Sequence, residues 1–302
     1  MSAPPDTSSA VVVRKLLPAM FPGLRAGAPK LVLAGDEYDT WSAGDVVVKF
    51  PKSEEHAAKL AGEVALHDLL VARLGKLVPA IRAVGEPAKG YPFRAVAFER
   101  TSGRPGQQPE GPIIRPKPWA RTALAREIAA ALSALHATPV SKARAVGVRR
   151  AAPALDEGLD VGEAAIAWAR KVAGNAVDAF LVTSIPSHAQ TPGKPVLCHG
   201  DLKGEHVFVS EDATRVVAIV DWADAVIADP AVDLAGLGIW LGPAFIREVA
   251  PLCTGPADDG IADRAVFLAR AGLLHYCEAV LAGQEHAPKQ LLDAQLRAVF
   301  SD

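Results

Sequence analysis

The chain has 302 residues, of which 50 % are hydrophobic and 22 % are charged, and its formal net charge is −2 at pH 7. This balance is that of a globular protein long enough for two lobes around a substantial core, and it argues against a disordered or fibrous chain. A net charge near zero provides no basic surface for nucleic acid or for an anionic membrane, so we expect neither as a main partner.

The sequence favours a cytoplasmic protein. Its longest apolar run, residues 234–246, is interrupted by glycine and proline and is too short for a membrane helix. The first ten residues lack the basic and apolar regions of a secretory signal. The three cysteines, Cys198, Cys253 and Cys277, are few and widely spaced, which is typical of a reducing compartment and indicates neither disulfides nor a zinc site.

Short apolar runs separated by turn residues predict a sheet in the N-terminal part of the chain. A helical pattern over residues 11–20 comes first and ends at Pro22 and Gly23. A second helical run covers residues 56–74. The predicted strands cover residues 31–34, 38–42, 46–50, 78–84 and 93–98.

Lys49 stands near the end of the third predicted strand, and Glu63 follows fourteen residues later in the helical run. A buried strand seldom carries a lysine without a partner, which favours an ion pair between Lys49 and Glu63. An edge lysine in water and a solvated helix glutamate would give the same pattern. The pair is therefore ambiguous when it is considered alone.

The C-terminal part of the sequence is mainly helical. Residues 104–117 hold several prolines and glycines, as linkers do, and an amphipathic helix is predicted at residues 118–136. We expect His136, in its last turn, to act as a cap or dipole partner. Asp156, Glu157, Asp160 and Glu163 form an acidic cluster that could meet a cationic ligand or simply begin a helix. Further helical runs are predicted at residues 162–180, 262–281 and 290–300.

The stretch from Val196 to Asp233 is the most informative part of the sequence. Its apolar runs predict three short buried strands, at residues 196–198, 207–209 and 216–220, with the last two forming a hairpin. Asp201 precedes this hairpin in the triplet His-Gly-Asp, and Asp221 ends it twenty residues later. Of two carboxylates on rigid elements, one could orient an attacking hydroxyl while the other holds a divalent cation on a nucleotide.

This order of residues resembles the catalytic segment of the protein-kinase-like fold, and most closely that of the aminoglycoside phosphotransferase family of small-molecule kinases. His199, Asp201 and Asp221 match its catalytic loop and its metal-binding aspartate. Residues 229–235, DPAVDLA, resemble the D-P-x-x-D-L-A run of that family. By this resemblance, His199 would brace the loop through hydrogen bonds, and Asp233 would hold it through backbone amides.

The resemblance implies an α+β, protein-kinase-like two-lobed fold. Its N-terminal lobe, residues 1–103, would be an antiparallel sheet with one helix that binds the nucleotide and ends in the hinge. Its C-terminal lobe, residues 104–302, would be mainly helical and carry the catalytic and substrate-binding residues.

The resemblance also implies roles for single residues. Asp201 would accept a hydrogen bond from the acceptor hydroxyl and take its proton, and Asp221 would coordinate Mg²⁺. Lys49, aligned by Glu63, would hold the phosphates that are not transferred. In the hinge, the Phe98 side chain would lie behind the purine. The Glu99 carbonyl would accept a hydrogen bond from the amino edge of the purine, and the Thr101 amide would donate a hydrogen bond to the purine.

Three features depart from the family pattern or extend it. His206 stands where the family usually has asparagine, and an imidazole should weaken a second Mg²⁺ site or shift it toward Mn²⁺. Some macrolide kinases are similar in having histidine there. Lys203 is a second catalytic candidate beside the transferred phosphate, or an exposed loop lysine. Gly35 is the only glycine in residues 34–43, so no glycine-rich phosphate loop is present.

The leading hypothesis is a kinase that uses ATP or GTP with Mg²⁺ to phosphorylate a hydroxyl of a small molecule, such as an aminoglycoside or a macrolide. Two alternatives remain open. One is a metabolic kinase for a sugar, an amino alcohol or a homoserine-like acceptor. The other is a nucleotide-binding pseudokinase, which His206 and the sparse glycine loop would favour.

Overall fold

The computed structural model describes residues 6–108, 113–151, 160–182, 185–255 and 258–301. Asp156 and Glu157 of the acidic cluster lie outside these ranges. The chain divides into two compact units, one from Met1–Asp68 and Val78–Thr101 and the other from Leu69–Leu77 and Ser102–Asp302. Among the described helices, none combines the length and the apolarity that crossing a bilayer requires.

The N-terminal unit is built on a five-stranded antiparallel sheet with the strand order β1-β2-β3-β5-β4. The strands lie where the sequence predicts them, although the last two begin three residues later. Their bounds are Lys30–Ala34 (β1), Tyr38–Ala43 (β2), Val46–Pro51 (β3), Ile81–Val84 (β4) and Val96–Glu99 (β5).

The two faces of strand β3 carry different kinds of side chain. Val46, Val48 and Phe50 pack into a core shared with helix α1 (Ala10–Met20). Because side chains alternate along a strand, Lys49 points to the opposite face. There it meets helix α2 (Glu54–Leu74), which therefore adds a second helix to the unit.

The C-terminal unit is mainly helical, as expected. The helix predicted at residues 162–180 is broken at Gly174, whose φ of +67° lies in the left-handed region that ends helices. The helices are α3 (Pro118–His136), α4 (Val140–Ala145), α5 (Glu163–Ala173), α6 (Asn175–Val182), α7 (Ala231–Leu241), α8 (Pro243–Val249), α9 (Ile261–Leu281) and α10 (Lys289–Val299).

Short strands position the central stretch of this unit. The predicted hairpin is present, because β8 (Val207–Val209) pairs antiparallel with β9 (Val216–Ile219). Strand β6 (Arg104–Pro105) pairs with β8 on its other edge, and β7 (Val196–Cys198) pairs with β10 (Val226–Ala228). The sequence analysis missed β10 and also β6, whose two residues are too few to show a strand periodicity.

Candidate active site

The strand lysine and the helix glutamate of the N-terminal unit form an ion pair. The Lys49 Nζ lies 2.9 Å from the Glu63 Oε2, and both residues are buried. The same ammonium lies 5.4 Å from the ring centroid of Tyr38 and 5.5 Å from that of Phe98, which are distances of cation–π contacts. Three of the residues singled out in the sequence, Lys49, Glu63 and Phe98, are therefore brought together.

Glu99 and Thr101, which we expected in the hinge, lie at and beyond the end of β5. The Glu99 backbone N–H donates to the Ala80 carbonyl at 2.7 Å, and the Glu99 side chain pairs with Arg82 at 3.0 Å. Thr101 is the last residue of the N-terminal unit and is half-buried. Both residues are thus connected to the Lys49 pair through β5.

An ion pair also restrains the loop that precedes β2. Glu37 in this loop pairs with Lys59 of α2, and the Lys52 N–H donates to the Glu37 carbonyl at 3.0 Å. The loop therefore has anchors of its own, although Gly35 is its only glycine.

In the C-terminal unit, Asp201 lies on a tight turn after β7. Gly200 has a φ of +87°, and a Cβ there would lie 2.2 Å from the Asp224 carbonyl oxygen, so a larger residue would force the backbone apart. Asp233, in the first turn of α7, accepts the His199 N–H at 3.2 Å and the Gly200 N–H at 3.1 Å. This geometry confirms the expectation that Asp233 restrains the turn through backbone amides.

His136, expected to act as a cap or dipole partner, takes part in the same arrangement. Its Nε2 lies 2.9 Å from the Asp233 Oδ2, so the end of α3 is tied to the start of α7. Asp233 is fully buried, and its hydrogen-bond partners include His136, His199 and Gly200. The two residues are 97 positions apart, and no local pattern in the sequence indicates their contact.

His199 connects the turn of Asp201 to the end of the hairpin. Its Nε2 donates to the Val220 carbonyl at 2.9 Å, and its Nδ1 accepts the Asp201 N–H at 3.2 Å. Complete burial, together with the nearby His206, lowers the pKa of His199, so its imidazole is neutral and suited to these two bonds. The Trp222 ring packs against it at a centroid distance of 4.5 Å. The bracing role expected for His199 is thus present.

Lys203 lies between two carboxylates and is not an exposed loop lysine. Its Nζ is 3.1 Å from the Asp201 Oδ1 and 3.1 Å from the Glu205 Oε1, and it stands 5.5 Å from the ring centroid of Tyr276 on α9. Burial lowers the pKa of Lys203, but these carboxylates raise it by more. Burial raises the pKa of Asp201, but Lys203 and His206 lower it by more, so Asp201 is ionised at neutral pH.

His206 stands between the two aspartates. Its Nδ1 donates to the Asp201 backbone carbonyl at 2.7 Å, and its Nε2 lies 3.8 Å from the Asp221 Oδ2. Its ring is nearly parallel to that of His199, with centroids 5.8 Å apart. Burial lowers the pKa of His206, but Asp201, Asp221 and Glu205 raise it by more. The imidazole therefore lies in a strongly negative environment.

Asp221 has an unusual backbone. Its φ of +65° lies in the left-handed region, which costs a non-glycine residue on the order of 1 kcal/mol. The next residue, Trp222, donates its indole N–H to the Ile219 carbonyl at 3.0 Å. Such strain persists where the surroundings impose it, and it often accompanies functional side chains.

A buried arginine that the sequence analysis missed fixes the D-P-x-x-D segment. The Arg264 guanidinium, from α9, donates to both oxygens of Asp229, at 2.8 and 3.2 Å. The Asp229 carboxylate also accepts the N–H groups of Gly193 and Ala231. Asp229, which precedes α7, and Asp233, in its first turn, thus both anchor the start of this helix.

The side chains around His206 suit a divalent cation, although not equally well for every metal. Asp201, Glu205 and His206 each offer one ligand atom within 4.8 Å of the others. The carboxylate oxygens, with that of Asp221, fit Mg²⁺, whereas the imidazole nitrogen is a softer ligand than Mg²⁺ prefers. His136, Cys198 and Asp233 meet the same distance limit, but the hydrogen bonds of Asp233 already account for that cluster.

An aspartate on a braced turn, followed by a hairpin that leads to a second aspartate, defines the protein-kinase-like class of phosphotransferases. Residues 37–266 match the phosphotransferase enzyme family, and the chain belongs to that family. The family resemblance and the α+β kinase-like fold expected from the sequence are thereby confirmed, as is the expectation of a small-molecule phosphotransferase.

Two solved structures share the fold. The GDP complex of wild-type aminoglycoside 2'-phosphotransferase-IIIa superposes with a TM-score of 0.72 at 20 % identity, covering 96 % of this chain and 97 % of that one. Macrolide 2'-phosphotransferase type I superposes with a TM-score of 0.66 at 21 % identity over the whole of both chains. Viomycin phosphotransferase of Streptomyces vinaceus is 41 % identical over 68 residues, which cover 22 % of this chain and only 23 % of that relative.

Proposed function

We propose that the chain transfers the γ-phosphate of ATP or GTP to a hydroxyl group of a small molecule, with an antibiotic as the leading candidate for the acceptor. The observation that carries this proposal is the position of His206, which lies 2.7 Å from the Asp201 carbonyl and 3.8 Å from the Asp221 carboxylate. The names of the relatives, which refer to an aminoglycoside, a macrolide and viomycin, support the choice of acceptor class.

In the C-terminal unit, we assign the acid–base role to Asp201. As an ionised carboxylate it can accept a hydrogen bond from the acceptor hydroxyl and orient its oxygen for attack on the phosphorus. A weak base is sufficient, because phosphoryl transfer depends mainly on alignment and charge neutralisation, and the proton can leave late. Lys203, 3.1 Å from this carboxylate, would hold it in place and offer positive charge to the transferred group.

In the N-terminal unit, we assign phosphate binding to Lys49, with Glu63 orienting its ammonium group. The purine would lie against Phe98 and form hydrogen bonds with the backbone at Glu99 and Thr101.

We assign cation binding to Asp221 and His206 of the C-terminal unit. The divalent cation, when bound, would neutralise charge on the phosphates.

The test is a transfer assay with purified protein, Mg²⁺ and radiolabelled ATP or GTP against a panel of aminoglycosides, macrolides and viomycin. Asp201→Ala should lower kcat by about 10²–10⁴-fold, the usual effect of removing a positioned acid–base group. Nucleotide binding, measured by calorimetry, should be retained. The exposed Asp259→Ala is the matched control and should keep full activity.

The alternatives predict different results from the same assay. Transfer to a sugar, an amino alcohol or a homoserine-like metabolite, with no antibiotic accepted, would support a metabolic kinase. Thermal stabilisation by nucleotide without transfer to either panel would support a pseudokinase and contradict the proposal. Full activity of Asp201→Ala would show that another group is the base.

A further inference from the structure

We propose that His206 and Asp221 form a mixed nitrogen–oxygen site that binds first-row transition cations, such as Mn²⁺ and Zn²⁺, in preference to Mg²⁺. This inference rests on the proposed function, in which these two residues hold the divalent cation. It goes further because it assigns the class of metal from the ligand atoms of this chain.

The first argument is the orientation of the His206 ring. A backbone carbonyl can only accept a hydrogen bond, so the 2.7 Å contact with the Asp201 carbonyl places a proton on Nδ1. In the neutral ring this leaves the lone pair on Nε2, the atom on the side of Asp221. Histidines that bind metals commonly donate their other N–H to a carbonyl or carboxylate, which fixes the ring and raises the basicity of the ligand.

The second argument is the distance across the site. The His206 Nε2 and the Asp221 Oδ2 are 3.8 Å apart, which is too long for a hydrogen bond. It is shorter than about 4.2 Å, the sum of typical metal–nitrogen and metal–oxygen bonds of about 2.1 Å each. The two atoms are therefore close enough for one cation to contact both.

The third argument is that the backbone holds both residues in place. The Val220 N–H donates to the His206 carbonyl at 3.0 Å, so the hairpin fixes the two residues side by side. The Val220 carbonyl in turn accepts from His199, whose ring is stacked near that of His206. A site that is held in this way gains affinity because little order is lost on binding.

The metal preference follows from the ligand type. Mg²⁺ prefers oxygen ligands and gives up its water reluctantly, whereas imidazole is a favourable ligand for transition cations. Divalent affinities generally rise from Mn²⁺ to Cu²⁺ and remain high at Zn²⁺. With an imidazole in place of an amide oxygen, we expect affinity to decrease in the order Zn²⁺, Mn²⁺, Mg²⁺.

The test measures metal binding directly, without nucleotide or acceptor, at a pH of about 8, because a metal binds only the deprotonated nitrogen of the imidazole. Mn²⁺ bound to the wild-type protein should show nitrogen hyperfine coupling in pulsed electron paramagnetic resonance. Calorimetry should show that Zn²⁺ and Mn²⁺ bind more tightly than Mg²⁺. His206→Asn should abolish the nitrogen coupling and reduce the preference for Zn²⁺ over Mg²⁺ by at least about tenfold, since losing even an outer-shell partner has that effect.

His286→Asn, at an exposed position after α9, is the matched control and should leave the coupling and the preference unchanged. Thermal unfolding without metal establishes that each variant is folded, and Asp221→Asn should weaken all three metals because it removes the charged ligand. Bound Mn²⁺ without nitrogen coupling in the wild type, or unchanged coupling in His206→Asn, would overturn the proposal. Because no phosphate transfer is measured, these results are independent of whether the proposed function holds.

Discussion

The Lys49 side chain and the turn that carries Asp201 are held by different kinds of partner. In the N-terminal unit, Lys49 and Glu63 are partners of each other, side chain to side chain. In the C-terminal unit, Asp233 bonds the backbone N–H groups of His199 and Gly200. A side-chain pair can be replaced as a pair, whereas backbone amides remain in every variant and must still find an acceptor. The fold should therefore depend on Asp233 in a way that it does not depend on the Lys49 pair.

The largest effect that tests this comparison is expected for Asp233→Ala. The substitution leaves the His199 and Gly200 amides and the His136 side chain without their acceptor, so the free energy of unfolding should fall by about 3–5 kcal/mol. Urea denaturation checks this, with the surface variant Asp259→Ala expected to stay within about 0.5 kcal/mol of the wild type. A decrease below about 1 kcal/mol for Asp233→Ala would mean that the comparison is wrong.

A double variant tests the other side of the comparison. Lys49→Met alone removes the cation that pairs with the buried Glu63 carboxylate and should destabilise the protein. Lys49→Met with Glu63→Leu removes both charges and should recover about 1–4 kcal/mol of that loss, because buried pairs can often be replaced by apolar groups. Phosphate transfer should remain absent in the double variant. If thermal unfolding shows no recovery, apolar side chains cannot replace this ion pair, and this side of the comparison is wrong.

The smallest effect concerns the pH dependence of the Arg264 cluster. The Arg264 guanidinium donates to Asp258 at 3.0 Å and lowers the pKa of that carboxyl. Because the folded pKa is below the unfolded value of about 3.9, the stabilisation is present above pH 4 and lost as the pH falls through the folded pKa.

The stability difference between the wild type and Asp258→Asn should therefore be about 1 kcal/mol or less at pH 6 and should shrink below pH 4. Chemical denaturation over this pH range measures it. A difference that is constant from pH 6 to pH 3 would show that the Asp258 charge contributes nothing to folding.

The sequence predicts most of the fold because its strong signals are local. The hairpin around Val207 and Val216 and the amphipathic helix α3 follow from periodicity within single segments. The order of Lys49, Glu63, Asp201 and Asp221 indicates the family, since those spacings match a known catalytic layout. Strand β6 has only two residues, which are too few for any such signal.

Two contacts around the candidate site were not predictable, because they join side chains that are distant along the chain. His136 reaches Asp233 across 97 residues, and Arg264 reaches Asp229 across 35. His136 and Arg264 resemble ordinary helix residues in their own segments. Their role depends on how α3, α7 and α9 pack, and that packing is set by many weak apolar contacts that no single motif records.

Because the backbone at Asp221 is left-handed, a substitution that raises thermal stability at this position would also remove the carboxylate that we assign to the cation. Glycine adopts a φ of +65° without steric cost, so selection for survival at high temperature would enrich glycine at this position. Glycine has no carboxylate, and such lineages would lose the ligand that we assign to the cation. A library that is randomised at this codon and sorted once for folding and once for turnover should therefore divide into two populations.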